Sequence, residues 1–337
     1  MDAILHSFFE SQSLFILLLI IAASFFILSK GADILVDQAV SLSIRWGIPK
    51  MVIGATIVSL GTTLPEATVS VLAAINGNPD MALGNAIGSI ICDTGLIIGI
   101  AALIGTLPVD KKTIDRQGWI QIAAAMLLSV IALPFYRSGI GGHLPQWVGF
   151  LFLLLLAIYL YTMMKWSMTS GVDEGALLDE KKSPVILQLL KLVLGIAMVI
   201  FSSKILIGSV EVTALRLGVP QSIIAATLVA FGTSLPELMT AITSVRKGHG
   251  ELAIGNIIGA DILNVLFVVG ASAAATKGGL LVPSHFYYVQ IPTMLIILIL
   301  FRIFSKNAKY VITKKEGLAL LLFYGIYLIL NFTVKLS

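Results

Sequence analysis

An all-α polytopic membrane protein, built from ten transmembrane helices in two inverted five-helix repeats, is the fold class this sequence predicts. Three observations predict it. The chain is too apolar and too poor in charge to be soluble, it divides into apolar stretches of spanning length, and one half recurs in the other at constant spacing.

Of the 337 residues, 58% are hydrophobic and only 12% charged, with a mean hydropathy of +1.00. Soluble domains run near about 25% charged. So few charges could not cover a soluble surface of this size. The sequence pI of about 9.1 reports basic loops, which in a membrane protein bear on orientation, and gives no ground for nucleic-acid binding. The single cysteine, Cys92, lies in an apolar stretch and reads as a small buried side chain; one cysteine supports neither a disulfide framework nor a thiolate metal site. His6, His143, His249 and His285 are scattered and give no zinc spacing. Residues 1–12 carry Asp2 and Glu10 but no Lys or Arg, unlike a cleavable signal, so the first apolar stretch reads as a retained helix.

A span needs about 20 mostly apolar residues. Ten candidates lie near 13–43, 49–75, 81–105, 117–136, 145–166, 185–213, 220–245, 251–275, 286–305 and 314–334. The first and sixth are long enough to tilt. The longest connection, 167–184, holds Asp173, Glu174, Asp179, Glu180, Lys181 and Lys182 and ends at Pro184, a polar linker too short for a domain. With the N-terminus outside, the inner loops hold 15 of the 22 Lys and Arg residues, among them Arg45, Lys50, Lys111, Lys112, Arg116 and Arg246, and the outer loops hold 4. Lys30, Lys191 and Lys204 fall within spans. This asymmetry predicts both termini outside and a cytoplasmic linker.

The repeat is read directly. Gly-Thr-Thr-Leu-Pro-Glu at 61–66 recurs as Gly-Thr-Ser-Leu-Pro-Glu at 232–237, an offset of 171. The same offset relates Pro49 to Pro220, Asn85 to Asn256, Gly88 to Gly259 and Gly99 to Gly270. An ungapped match over that distance indicates an internal duplication. Five spans per copy, an odd number, put the second copy upside down, an arrangement that places a transport site at the repeat interface near the midplane. The expected division is 1–166 for the first repeat, with its motif at 54–99, then the linker, and 185–337 for the second, with its motif at 225–270.

Glu66 sits about seventeen residues into its span, and Glu237 holds the same place in the other half. A carboxylate in hydrocarbon is expensive and must meet a cavity, a partner or an ion. The alternative, neutralisation by a base, has only Lys30, Lys191 and Lys204 to draw on within the spans, and their long stems let them snorkel outward. Pro65 and Pro236 lack an N–H and clash with the carbonyls of Gly61 and Gly232, breaking both helices. Broken backbone at membrane depth is tolerated only where protein or a cavity satisfies it. Thr62, Thr63, Thr233 and Ser234 add hydroxyls. Carboxylates, carbonyls and hydroxyls are hard ligands suited to calcium, sodium or magnesium rather than zinc or copper. Asp93 and Asn264 are related by the same offset on the following span. Asp261 is a further intramembrane acid whose counterpart is Ile90. Gly84, Gly88, Gly255 and Gly259 form small-xxx-small packing patterns, and Asn85 and Asn256 read as interhelix hydrogen-bonders.

The two motifs resemble the paired α-repeats of the calcium/cation antiporter superfamily, most of all its sodium/calcium exchanger branch in compact prokaryotic form. The resemblance covers 47–99 and 218–270. It implies a multi-pass cell-membrane antiporter that exchanges calcium for sodium by alternating access, with no cofactor. Carried over by motif position, Glu66 and Glu237 would be central calcium ligands shared with sodium. Thr62, Thr63, Thr233 and Ser234 would supply hydroxyl or carbonyl oxygens, and Ser59 and Ala230 backbone carbonyls. Ser89 matches a sodium ligand, and Asp93 and Asn264 match the polar pair flanking the centre. The family's Gly-Ser-Asn departs to Gly-Ser89-Ile90 and Gly-Ala260-Asp261, so one sodium hydroxyl is missing, and Asp261 is a candidate replacement. The acid of the flanking pair lies in the first half here, whereas potassium-dependent relatives carry it in the second.

Glu66, Glu237 and Asp93 carry up to three negative charges. Three Na⁺ would neutralise them, and one Ca²⁺ would do so if Asp93 took a proton. A Ca²⁺/H⁺ antiporter, a K⁺-assisted exchanger and, more remotely, a cation channel remain open on the residues. No enzymatic Ser/His/Asp or zinc constellation accompanies the acids. The sequence leaves the oligomeric state open.

Overall fold

The computed structural model describes residues 2–134, 141–169, 184–218, 232–307 and 309–336. The structure is overwhelmingly helical. A short helix α1 (Asp2–Ser11) precedes the long α2 (Leu14–Trp46). Helix α3 (Lys50–Thr62) is bent by 45° against α4 (Leu64–Ile75). Then come α5 (Pro79–Ile104), β1 (Leu107–Pro108), α6 (Lys111–Ala132), β2 (Gly142–Leu144) and α7 (Gln146–Thr169). The second half holds α8 (Val185–Arg216), α9 (Leu235–Arg246), α10 (Gly250–Ala275), β3 (Leu280–Val282), a 3-10 turn at Ser284–Tyr287, α11 (Gln290–Ser305), β4 (Val311–Ile312) and α12 (Lys314–Leu336).

Local chemistry sets the ends. Ser13 caps α2 by accepting from the Ile16 N–H at 3.3 Å, and Gly47 closes it in the left-handed conformation at φ 63°. Asn78 accepts from the Met81 N–H at 3.1 Å, with Pro79 in the first turn of α5. Asp110 accepts from the Thr113 N–H at 2.7 Å and so starts α6 at Lys111, earlier than the span expected at 117–136.

Among the described residues, six helical segments are long and apolar enough to cross a membrane, seven if the bent α3–α4 pair counts as one. Helix α6 has spanning length but a polar side: Gln117 and Gln121, four residues apart, are both buried. Of the expected seventh span only α9 and the residues just before it are described; 219–231, including Ala230, lie outside the described residues, as does nearly all of the 167–184 linker.

Burial separates interior from periphery. In the most apolar stretch of each helix, 94% of α10 and 72% of α5 is buried, against 22% for α2 and 28% for α8. So α5 and α10 form the centre, while α2 and α8 pack along each other and turn apolar faces such as Phe15 and Phe26 outward. Glycine permits the closest central contact. A methyl at Gly255 would lie 2.1 Å from the Met51 carbonyl oxygen, and one at Gly259 2.5 Å from Ala55 Cα. These bear out the packing expectation for α10 against α3. For Gly84 and Gly88 the offset puts the corresponding partners at 222, 226 and 230, outside the described residues.

Connections meet at the two ends of the bundle. Strands β1 and β4 pair antiparallel, Leu107 opposite Ile312, and Lys50 Nζ lies 3.3 Å from His249 Nδ1. Strands β2 and β3 pair with Gly142 opposite Val282, and His285 lies 3.3 Å from Asp80. Each contact joins two loops that the expected ten-span alternation puts on the same side.

Candidate functional site

Both proline motifs break the helix at the same point. Thr63, before Leu64-Pro65, has φ −80° and ψ −1°; Ser234, before Leu235-Pro236, has φ −84° and ψ 8°. The break leaves Glu66 and Glu237 in the first turn of α4 and α9, where the helix dipole favours a negative charge. Among the described residues, three π-helical segments frame this layer, at Gly54–Val58, Asp93–Ile97 and Asn264–Val269. The last two begin at residues related by the offset. A π segment inserts an extra residue into a turn and frequently marks a functional site.

The predicted residues come together. Ser59, Thr62, Thr63, Glu66, Ser89, Asp93, Ser234, Glu237, Asp261 and Asn264 are all buried, each at most 2% exposed, and Thr233 is half-buried. The Thr62 hydroxyl donates to Asn256 Oδ1 at 3.4 Å, and the Thr233 hydroxyl to Asn85 Oδ1 at 3.1 Å. Each bond joins a broken helix of one half to a central helix of the other. Ser234 donates to Ser89 Oγ at 3.3 Å. The carbonyl of Ser59 accepts from the Thr63 N–H at 2.9 Å and the Thr62 hydroxyl at 3.4 Å.

Where the halves differ in sequence, the bonds differ. Asn85 also donates to the Glu66 carbonyl at 3.2 Å and to Ser70 Oγ at 2.9 Å. The residue corresponding to Ser70 is Ala241, and the Asn256 Nδ2 has no partner. Ala260 corresponds to Ser89, and the Thr63 hydroxyl, which corresponds to that of Ser234, is likewise without one.

Electrostatics point to a cation. Glu66 lies within reach of the charges of Glu237 and Asp93, and Asp93 within reach of those of Glu237 and Asp261. Among the described residues no Lys, Arg or His pairs with any of these four; Lys30 sits beside Asp33 instead, at 3.9 Å. Among the described residues, seven side-chain oxygens of the predicted site have no hydrogen-bond partner: Glu66 Oε1 and Oε2, Glu237 Oε2, Asp93 Oδ1, Asp261 Oδ1, Asn264 Oδ1 and Thr63 Oγ1. Buried acceptors are nearly always satisfied, and hard cations satisfy oxygens of this kind. Among the described residues no three His, Cys, Asp or Glu side chains close on one point as a metal centre by themselves. Hydroxyl, amide and carbonyl oxygens therefore have to complete any shell.

Three contributors escaped the sequence reading. Thr94 and Gln121 each donate to Asp261 Oδ2 at 2.6 Å, and Ser70 anchors Asn85. The available signal was a polar residue on the interior side of an apolar span, as at Gln117 and Gln121.

A multi-helix membrane protein whose interior holds paired, unneutralised carboxylates on broken helices has the architecture of a cation transporter. The sequence profile of the sodium/calcium exchanger protein family matches residues 16–165 and 187–333, and the chain belongs to that family. It is 28% identical over 352 residues to the sodium/calcium exchanger MaX1 of Methanosarcina acetivorans, covering 94% of this chain and 98% of that one. It is 36% identical over 255 residues to the inner membrane protein YrbG of Escherichia coli, covering 74% and 76%. Among solved structures it resembles the sodium-calcium exchanger NCX_Mj soaked with 10 mM Na⁺, with a TM-score of 0.78 and 26% identity over 93% of this chain and 98% of that one. The resemblance stated from the motifs is thereby established. The family's activity is cation exchange involving Ca²⁺, and these relatives are transporters and membrane proteins.

Proposed function

We propose that this chain is a multi-pass cell-membrane antiporter that exchanges Ca²⁺ for Na⁺ by alternating access at the Glu66–Glu237 centre. The observation that carries the reading is the pair of glutamates, buried, close enough to repel each other, and without a base. A divalent cation between them relieves the repulsion; monovalent ions do so when they come in greater number. Glu66 and Glu237 are the central ligands in this proposal. Thr62, Thr63, Thr233, Ser234, Ser59 and Ala230 supply further oxygens from the broken helices, and Ser89, Asp93, Asn264 and Asp261 flank them. Asp93 and Asn264 occupy matching places beside the centre, one an acid and one an amide, so the two sides of the site differ in chemistry.

The same proposal takes the chain as ten spans, both termini outside, in two inverted repeats, 1–166 and 185–337, joined by a cytoplasmic linker at 167–184. In support, each loop contact described above joins connections of the same expected side, and β1–β4 and β2–β3 each bridge the halves. The proline-broken helices and the threonine–asparagine bonds recur under the 171-residue offset, as a duplicated site would require.

The test is radiolabelled calcium uptake into proteoliposomes under an imposed Na⁺, K⁺ or pH gradient. Uptake driven by outwardly directed Na⁺ alone is the expected result. Uptake driven equally by a pH gradient without Na⁺ would replace this reading with Ca²⁺/H⁺ exchange. Uptake that needs K⁺ as well would make the chain a K⁺-assisted exchanger.

A further inference from the structure

Asp261 is the flanking acid without a counterpart in the other half. It lies on α10, 2% exposed, and its Oδ2 accepts from Thr94 Oγ1 and from Gln121 Nε2, both at 2.6 Å. Its Oδ1 has no partner. The offset gives Ile90, Val265 and Pro292 as the residues corresponding to Asp261, Thr94 and Gln121, so the arrangement is built on one side only. Four residues before Gln121 on α6, Gln117 is fully buried and its Oε1 also lacks a partner. Asp93, next to Thr94, leaves its Oδ1 unpaired as well.

The geometry separates two ways of neutralising this carboxylate. Both donors converge on Oδ2. A proton on Oδ1 would leave the two short bonds on Oδ2 accepted by a neutral acid. A cation against Oδ1 uses the lone pairs that the hydrogen bonds leave free. Two short bonds from neutral donors also suit a charged carboxylate better than a neutral acid. The amide of Gln121 reaches in from α6, a helix that contributes nothing to the paired-glutamate centre.

We propose that Asp261, with the Thr94 hydroxyl bonded to it, forms an accessory cation subsite for a monovalent hard cation of the sodium class. Gln121 is its positioning residue. This rests on the exchange reading above and deepens it: the subsite adds a fourth carboxylate and one further Na⁺ to the coupled set. The Glu66–Glu237 centre keeps the divalent ion.

The test compares wild type with Asp261→Asn in proteoliposomes, reading the reversal potential of Na⁺-driven calcium flux and the Na⁺ Hill coefficient. The expected result for Asp261→Asn is one Na⁺ fewer per Ca²⁺, with Ca²⁺ half-saturation changed less than by Glu66→Gln. Thr94→Val should weaken Na⁺ activation in the same direction at unchanged Ca²⁺ half-saturation. It carries the test if Asp261→Asn fails to reach the membrane. Unaltered Na⁺ stoichiometry in Asp261→Asn beside an active wild type overturns the subsite alone. So does the loss of one coupled proton in place of one Na⁺. Absence of Na⁺-driven flux in wild type would overturn the exchange reading itself.

Discussion

Thr62 donates its hydroxyl to Asn256 across the centre of the molecule at 3.4 Å, and 171 residues further on Thr233 repeats the bond to Asn85 at 3.1 Å. Each threonine belongs to a helix broken by proline, and each asparagine to an interior helix from the other half. The two bonds tie both broken helices to the central pair α5 and α10. They also fix the layer that holds Glu66 and Glu237 within reach of each other's charge.

The two asparagines are unequal. Asn85 makes three side-chain bonds, whereas the Nδ2 of Asn256 has no partner. Asn85→Ala should therefore lower thermal stability more than Asn256→Ala. Hydrogen bonds between membrane helices average about 0.6 kcal/mol each, so the gap should be on the order of 1 kcal/mol. Parallel melting curves in detergent measure it, and equal losses would contradict the bond inventory.

Ala260 leaves the Thr63 hydroxyl unpaired where Ser89 meets Ser234 in the related half. Ala260→Ser should supply the missing oxygen. A hydroxyl ligand or hydrogen bond is worth about 0.5–1.5 kcal/mol, so the Na⁺ half-saturation should fall roughly two- to tenfold. Steady-state calcium efflux at graded Na⁺ reads this directly.

Helix α10 approaches α3 through glycine. Gly255→Ala would drive a methyl to 2.1 Å from the Met51 carbonyl oxygen, a backbone atom that cannot swing aside. The expected loss is about 1–3 kcal/mol, as for other overpacked interiors, with flux falling alongside. Gly325→Ala, where nothing lies within 4 Å, is the matched control. Size-exclusion profiles and melting temperatures of both variants test the contrast.

Asp115 lies ahead of the expected fourth span and is paired with Lys306 at 2.9 Å and Arg302 at 3.2 Å. The Lys306 hydrogen bond, with the charges of Lys306 and Arg302, holds its carboxyl below the usual carboxylate range. A depressed folded-state value stabilises the protein above the unfolded pKa of about 3.9 and loses that contribution as pH falls through the folded value. Asp115→Asn should be slightly less stable than wild type at pH 7, and the difference should vanish in acid. Asp115 is 39% exposed, so the difference should stay below about 1 kcal/mol. Melting curves of both proteins between pH 3 and pH 7, in roughly half-unit steps, check the sign.

Much of the centre was legible in the residues because duplication wrote it twice. Glu66 with Glu237, and the proline breaks beside them, could be read from spacing and from what membrane burial demands of a carboxylate. The asparagine bonds were half legible: Asn85 and Asn256 read as interhelix hydrogen-bonders, but their threonine partners sit in the opposite repeat, which no local pattern reveals. Thr94 and Gln121 were hidden for another reason. They serve Asp261, which has no counterpart, so the offset gave no second copy to compare. Helix α6 departed from its expected limits because the Asp110 cap, and not hydropathy, sets where it starts.

The most direct test of the central claim is calcium uptake driven by an outward Na⁺ gradient, measured in proteoliposomes for wild type, Glu66→Gln and Glu237→Gln. Each substitution removes one of the paired charges while keeping the side-chain shape. The account predicts robust uptake by wild type and a loss of at least about 100-fold in either variant, the equivalent of about 2.7 kcal/mol. Uptake at wild-type rates in both variants would contradict it.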